Sequence, residues 1–221
     1  QITSSTVLKA RAFANGYMSS PLKASSYLIG VNHSTPVLSV ITDNNNLYGP
    51  TGIFDNWSQD IDKDAYAEYF NTDRSLVFSQ PAGIQIDGGA GGSRSNPQHS
   101  FRLELDHSVL GGGSVSYPLF PDRPNRNKYS RLYLRNGSNQ FLVYPYKDAC
   151  GVKGLAKETK TYYAAYRPIS VYINGSYFGL YELREKFDPE YFKENEQAIE
   201  DSVDLLSQSF WYNGVLRAVC G

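Results

Sequence analysis

A glycine-rich segment is the part of this sequence best suited to binding an anion through its backbone. The run GGAGGSRS at residues 88–95 follows a predicted strand, and successive N–H groups in such a loop can cradle a phosphate. The run lacks the Gly-Lys-Ser/Thr ending of a P-loop, and it fails G-x-G-x-x-G because the register from Gly89 ends on Arg94. Arg94, and Arg102 on the next predicted strand, can supply fixed positive charge. Spacing alone leaves two interpretations open, a tight connection or an anion site.

A cluster of charged side chains ends a later strand. Glu182 and Arg184 are two residues apart, so a strand places them on one face and Glu185 on the opposite face. Lys186 follows directly. The cluster is either a solvated strand end with weak local ion pairs or part of a site.

Other catalytic and metal-binding patterns are weak. The Asx-rich segment at residues 43–46 lacks the glycine and glutamate that an EF-hand loop requires, and it predicts Asx turns instead. Three histidines form no i, i+4 pair and are expected on the surface or in loops: His33, His99 and His107. Cys150 and Cys220 show no C-x-x-C spacing and are expected to be free or loosely paired. No G-x-S-x-G nucleophile motif is present.

The strongest local signal for secondary structure is Asn174-Gly175 between two alternating runs. This dipeptide predicts a two-residue hairpin turn in which both residues take positive φ. The turn predicts three cross-strand pairs: Ile173 with Ser176, Tyr172 with Tyr177, and Val171 with Phe178. Ile169, Val171, Phe178 and Leu180 are then expected to share the core face, and Tyr172 and Tyr177 to form an aromatic pair.

Further apolar and alternating runs predict a sheet-rich fold. They cover residues 7–13, 26–29, 37–42, 65–70, 76–79, 84–86, 101–105 and 131–135. Helices are expected at residues 147–157 and at residues 189–195, the latter after an Asp188 N-cap with Pro189 in first position. The sequence therefore predicts an α+β fold, mainly antiparallel β-sheet with a few short helices.

Composition narrows the range of partners. The net charge of −1 predicts no general attraction to nucleic acid or to an anionic membrane. No apolar run approaches the length of a membrane-spanning helix, so no transmembrane segment is expected. Residues 1–8 lack the basic start and apolar core of a signal peptide.

Several segments together carry a family resemblance over about residues 37–206. The most specific block is residues 166–186, and the others are residues 37–53, 82–103, the Leu-Arg-Asn-Gly string at residues 134–137, and residues 147–149. These segments resemble the CotH family of spore-coat-type atypical protein kinases. The resemblance implies a parent protein that phosphorylates Ser or Thr of surface proteins with ATP and Mg²⁺.

The same resemblance implies roles for individual residues. Four of them would contact phosphate or nucleotide: Ser93, Arg94, Arg102 and Arg135. Glu185 would be an orienting carboxylate and Asp148 a structural one. The sequence departs from the family at Asp87 and at Gln98-His99, where members commonly carry arginine and lysines. These departures put phosphate contacts through the loop in question.

The resemblance also predicts a functional limit. Family members continue into a helical half that bears the metal-binding aspartates, whereas this sequence stops at Gly221. Residues 37–221 are therefore expected to be the N-terminal portion of a CotH-like kinase domain. We expect no catalytic residue and no metal ligand among them, and no phosphate transfer by this fragment, because Mg²⁺ supplies much of the charge neutralisation in phosphoryl transfer.

Residues 1–31 resemble the C-terminal strands of a chitobiase/β-hexosaminidase C-terminal-type β-sandwich. Because two strands alone are marginal in water, they either complete a sandwich that begins before residue 1 or pack on the next domain. This resemblance implies a secreted or surface-attached bacterial protein, located outside the cell or at its surface. It also supports a rival hypothesis, a non-catalytic surface, adhesion or glycan-binding module whose partner is a surface glycan rather than a protein substrate.

Overall fold

The computed structural model describes most of the chain. The described residues are 1–20, 22–89, 92–106, 111–137, 151, 154–156, 159, 161–211 and 215–220, and from residue 206 onward only the backbone is described. The chain divides into two compact units, Gln1–Arg184 and Glu185–Gly221. Each unit is considered by itself.

Strands dominate the first unit, and short helices are few among the described residues. The first unit contains β1 (Thr6–Ala10), β2 (Lys23–Tyr27), β3 (Val37–Thr42), α1 (Asn44–Leu47), β4 (Lys63–Phe70), β5 (Leu76–Ile86), β6 (Phe101–Glu104), β7 (Val115–Ser116), β8 (Lys128–Tyr129), β9 (Arg131–Arg135), β10 (Tyr166–Ile173) and β11 (Ser176–Arg184). The second contains α2 (Pro189–Glu196), a 3₁₀ turn (Glu200–Ser202), β12 (Leu206–Trp211) and β13 (Val215–Cys220). The predicted α+β class, rich in antiparallel sheet, is confirmed.

Seven of the described strands close into a barrel in the order β10-β11-β9-β6-β5-β4-β3. All neighbours in this order are antiparallel, and the barrel closes through a parallel pair in which Ser170–Ile173 runs beside Val37–Val40. Alternate residues point inward, as the period of two requires. On β6, for example, Phe101 and Leu103 are buried in the core while Arg102 and Glu104 point outward.

The β10–β11 hairpin confirms the predicted turn and corrects the predicted register. Asn174 and Gly175 have φ of 51° and 82°, and Tyr172 pairs with Tyr177 with ring centroids 5.4 Å apart. Val171, however, lies opposite Gly179 and not Phe178, because the register shifts between Val171 and Tyr172. This β-bulge inserts one extra residue in β11.

The bulge reverses which residues of β11 face the core. Ile169 and Val171 are buried as predicted, and Phe178 packs partly buried against the core. The prediction for Leu180 is wrong, since this side chain is 42% exposed. Beyond the extra residue the inward positions are Tyr181 and Leu183, both 0% exposed. One inserted residue moves every later side chain to the other face of a strand.

The N-terminal hairpin packs on the outer face of the barrel. Ala24 of β2 forms a small apolar cluster with Ile41 of β3 and Tyr66 of β4. Lys9 donates from Nζ to the Thr42 carbonyl oxygen at 2.8 Å. The hairpin therefore contacts the barrel, while its domain assignment and its membership of a β-sandwich stay predictions.

Two short helices are fixed by capping side chains. The side chain of Asp43 accepts a hydrogen bond from the Asn45 N–H, as the predicted Asx turn requires, although the segment forms α1 rather than only loop. Asp188 caps α2 by accepting from the Tyr191 N–H at 2.8 Å, with Pro189 at the first position. This confirms the predicted helix start.

Some predicted features lie outside the described residues. They include His107, Asp148, Cys150 and most of the helix expected at residues 147–157, and the side chain of Cys220. In the described part of the chain no helix is long and apolar enough to cross a membrane.

Candidate phosphate site on the outer face of the barrel

The glycine-rich loop connects β5 to β6 and folds back on itself. Gly88 has φ of 100°, and a Cβ built there would lie 2.4 Å from the Ser93 Cβ, so only glycine fits. The Ser100 N–H donates to the Ser93 carbonyl at 2.8 Å, and the Asp87 N–H donates to the Ser100 carbonyl at 2.9 Å. The loop is therefore closed at its base by the two strands that it joins.

The Arg94 side chain ties this loop to the segment that precedes β4. Its Nε donates to the Gly88 carbonyl, and its Nη1 donates to the carbonyls of Trp57 at 3.1 Å and Gln59 at 3.2 Å. Its Nη2 forms an ion pair with Asp60. Arg94 thus keeps its guanidinium in place with three backbone acceptors and one carboxylate.

Arg102 belongs to a row of polar side chains on the outside of the barrel. Its Nη2 donates to Gln85 Oε1, the residue directly opposite on β5. Its Nε lies 2.7 Å from Glu104 Oε1, and the other Glu104 oxygen lies 2.7 Å from Nε of Arg131 on β9. The outward positions of three neighbouring strands therefore hold Arg102 in a fixed orientation.

Asp60 is the carboxylate that pairs with Arg94 beside the glycine-rich loop. The hydrogen bond and the charge of Arg94 hold the pKa of the Asp60 carboxyl below its usual value, against a smaller opposing effect of burial. The Gln85 side chain and the positive charge of Arg102 lower it further. The carboxylate paired with Arg94 marks a position where an anion is stabilised. No sequence pattern indicated Asp60, which is far from both arginines in the chain.

Arg135 and Asn136 bring the Leu-Arg-Asn-Gly motif to the same region. Arg135 lies opposite Glu182 in the register of β9 and β11. Asn136 donates from Nδ2 to the Gln98 carbonyl, with longer contacts to the carbonyls of Gly92 and Ser93 at 3.4 Å. Its Oδ1 accepts from the Ser100 hydroxyl at 2.9 Å. Asn136 therefore orders the glycine-rich loop, a role that sequence reasoning missed although it singled out the motif.

A buried histidine fixes the far end of the loop. His99 lies in a loop, as predicted, but is only 7% exposed. Its Nδ1 bonds the Arg94 carbonyl oxygen, so this nitrogen carries the ring proton, since a carbonyl can only accept. The Tyr181 hydroxyl donates to the His99 carbonyl at 2.6 Å, and the Phe54 ring lies 5.1 Å from the imidazole. Burial lowers the pKa of His99, an effect only partly offset by the bond to Arg94.

The charged end of β11 is arranged as predicted within the first unit. Arg184 Nη1 lies 3.5 Å from Glu182 Oε2, so the two side chains share a face, while Leu183 between them is in the core. Glu185 belongs to the second unit, where it is 7% exposed and Asn195 Nδ2 contacts its Oε1 at 3.5 Å. The roles of Ser93, Arg94, Arg102, Arg135 and Glu185 in binding a nucleotide stay predictions.

In the described stretches of the chain no group of three His, Cys, Asp or Glu side chains is placed to hold a metal ion. Two cavities of about 430 and 170 Å³ lie elsewhere, beside the N-terminal hairpin, and neither is lined by Arg94, Arg102 or Arg135.

The fold and the site together define a closed β-barrel domain that presents a glycine-rich loop, with Arg94 paired to Asp60 and Arg102 held by Gln85 and Glu104. The chain belongs to the CotH kinase protein family, whose model matches residues 84–210, more than half of the sequence. The match contains the glycine-rich loop, the Leu-Arg-Asn-Gly motif and the β10–β11 hairpin. This family suggests the use of nucleotide and metal in general terms. No curated protein matches the sequence.

Proposed function

We propose that this chain is the phosphate-binding portion of a CotH-like atypical protein kinase. The parent protein would transfer phosphate from ATP to Ser or Thr of proteins at the cell surface or outside the cell. The observation that carries the proposal is the anchored Arg94 beside the glycine-rich loop, paired with the exposed carboxylate of Asp60, with Arg102 held on the next strand. Membership of the family supplies the reaction class.

The described residues fit the phosphates of ATP better than they fit its metal. Two fixed guanidinium groups and a preformed loop offer charge-assisted donors to phosphate oxygens without reorganisation. The family resemblance alone is the basis for proposing Ser93 and Arg135 as further phosphate contacts and Glu185 as an orienting carboxylate. Mg²⁺ supplies charge neutralisation in phosphoryl transfer. The described residues offer no three-ligand group to hold it, so Mg²⁺ is assigned no protein ligands here.

Calorimetric titration with ATP and Mg²⁺ at low ionic strength tests the proposal. We expect binding that weakens about ten-fold or more in Arg102→Met, because a charge-assisted hydrogen bond to phosphate is lost. Arg131→Met is the matched control, since Arg131 pairs with the same Glu104 from the next strand but lies farther along the barrel face. The affinity of Arg131→Met for ATP should stay within about two-fold of wild type, because the loss of an exposed ion pair usually has a small effect. Absence of binding by the wild-type chain, or equal losses in both variants, would contradict the proposal.

A second candidate function is that of a surface module that binds glycan. The cavity of about 430 Å³ favours it, because Arg11, Asp64 and Asn46 offer hydrogen-bonding groups beside apolar walls. Met18 lines the cavity and is 95% exposed, and the adjacent Tyr17 ring is 81% exposed. Titration with oligosaccharides in place of ATP separates the candidates. This second function would be favoured if wild type binds an oligosaccharide but not ATP, and if Asp64→Ala no longer binds the oligosaccharide.

A further inference from the structure

We propose that Asp60 is a displaceable internal anion, which occupies the position beside Arg94 that a phosphate of the nucleotide takes on binding. This inference rests on the proposed function and adds a regulatory contact to the same site. In the free protein the Asp60 carboxylate neutralises Arg94, while Arg102 is paired with Glu104. On binding, a phosphate group replaces it and the Asp60 side chain moves into solvent.

The two partners of the ion pair differ in their freedom to move. The Arg94 side chain is 13% exposed and the Asp60 side chain is 74% exposed. Arg94 is also held by the carbonyls of Gly88, Trp57 and Gln59, none of which depends on the Asp60 carboxylate. The carboxylate can therefore leave while the guanidinium remains in place. A preorganised donor of this kind loses little conformational entropy when a ligand binds.

Arg102 is preorganised in the same way. Gln85 and Glu104 hold its guanidinium from the neighbouring positions of the barrel face. Its positive charge also lowers the pKa of the Asp60 carboxyl, by less than Arg94 does, so an anion in the place of the carboxylate is attracted by both arginines. A phosphate group carries more negative charge than a carboxylate and has three acceptor oxygens, so it has the advantage in this exchange.

The exchange predicts a gain of affinity when the internal anion is neutralised. An exposed ion pair is weak, so Asp60→Asn should raise the affinity for inorganic tripolyphosphate only about three- to five-fold. Asparagine keeps an oxygen that accepts from Arg94, which preserves the anchor of the loop. The gain should shrink as salt is added, since it is electrostatic.

Asp73→Asn is the matched control for charge. Asp73 is exposed, and its carboxylate likewise accepts hydrogen bonds, from the Ser75 N–H at 2.9 Å and from its hydroxyl. It lies in the turn before β5, whereas the glycine-rich loop follows the other end of this eleven-residue strand. The substitution changes net charge by the same amount at a distance of roughly 30 Å along the strand. It should leave tripolyphosphate affinity unchanged.

The experiment is a calorimetric titration of tripolyphosphate, without metal, into the full 221-residue wild-type chain and both variants. Tighter binding of tripolyphosphate by Asp60→Asn alone supports the inference. This includes the case in which wild type shows no measurable binding and Asp60→Asn binds. Measurable wild-type binding that stays equal or weakens in Asp60→Asn overturns the inference and leaves the proposed function standing. If neither wild type nor either variant binds tripolyphosphate, both the inference and the proposed function are overturned. Hydrogen exchange of residues 92–100 shows whether a weaker variant has lost loop order instead of an anion partner.

Discussion

The charge state of His99 couples pH to the order of the glycine-rich loop. Its pKa is lowered by burial from an ordinary value of 6.5, so the folded protein binds the proton less readily than the unfolded chain. The contribution of neutral His99 to the free energy of unfolding is therefore complete above pH 6.5. It decreases as the pH falls below that value toward the folded-state pKa. We expect the melting temperature to drop between pH 7 and 5.5 more steeply in wild type than in His99→Gln. Parallel melting curves for the two proteins would contradict this assignment.

Arg94 shows what the sequence could and could not predict at the scale of one residue. Its type and its place beside the glycines identified it as a cation near a candidate anion site. Its acceptors, however, are the carbonyls of Trp57 and Gln59 and the side chain of Asp60, more than thirty positions earlier in the chain. Such partners depend on how loops meet in the fold, and no local pattern encodes them. For the same reason, the sequence could not predict the hydrogen bond between the Tyr181 hydroxyl and the His99 carbonyl.

At the scale of one element, the bulge in β11 determines which leucine of this strand is in the core. A regular hairpin would place Leu180 there instead of Leu183. Leu183→Ala should cost about 2–5 kcal/mol in the free energy of unfolding, since its side chain is 0% exposed in the core. Leu180→Ala should change it by no more than about 0.5 kcal/mol, since its side chain is 42% exposed. Chemical denaturation of both variants measures the difference. A larger loss in Leu180→Ala would restore the unbulged register.

The hairpin also shows why local signals succeed near a turn and fail farther away. Asn174-Gly175 specifies positive φ at two positions, so the turn and its first two pairs followed from sequence alone. The extra residue in β11 has no comparable signature, because Phe178, Gly179 and Leu180 fit either face. The Gln98 side chain donates to the Leu180 carbonyl at 2.8 Å and so stabilises the bulge from the glycine-rich loop. That contact joins segments 82 residues apart.

At the scale of the first unit, closure of the barrel depends on strands that are distant in sequence. The runs of β3, β6 and β9 were readable as strands from alternation or apolar content, yet their order was not. The parallel pair of β10 with β3 joins segments about 130 residues apart. Sequence patterns specify which face of a strand is apolar and leave its neighbour open. The fold class was therefore predictable, whereas the barrel was not.

Glu68 connects the N-terminal hairpin to this barrel and gives the last prediction. Its carboxylate is on β4, 2% exposed, and accepts from the Ser26 N–H of β2 at 2.6 Å and the Ser79 hydroxyl of β5 at 3.0 Å. Glu68→Ala should cost about 1–3 kcal/mol, because it leaves both donors without their acceptor. Asp64→Ala, on the same face of β4 but exposed, should stay within about 0.5 kcal/mol.

Hydrogen exchange decides whether this loss arises at the hairpin. If Glu68 holds β1 and β2 against the barrel, their amides should exchange faster in Glu68→Ala while those of β6 and β9 keep their protection, since local opening reports the stability of its own segment. Uniform acceleration across the first unit would instead assign Glu68 to the barrel itself.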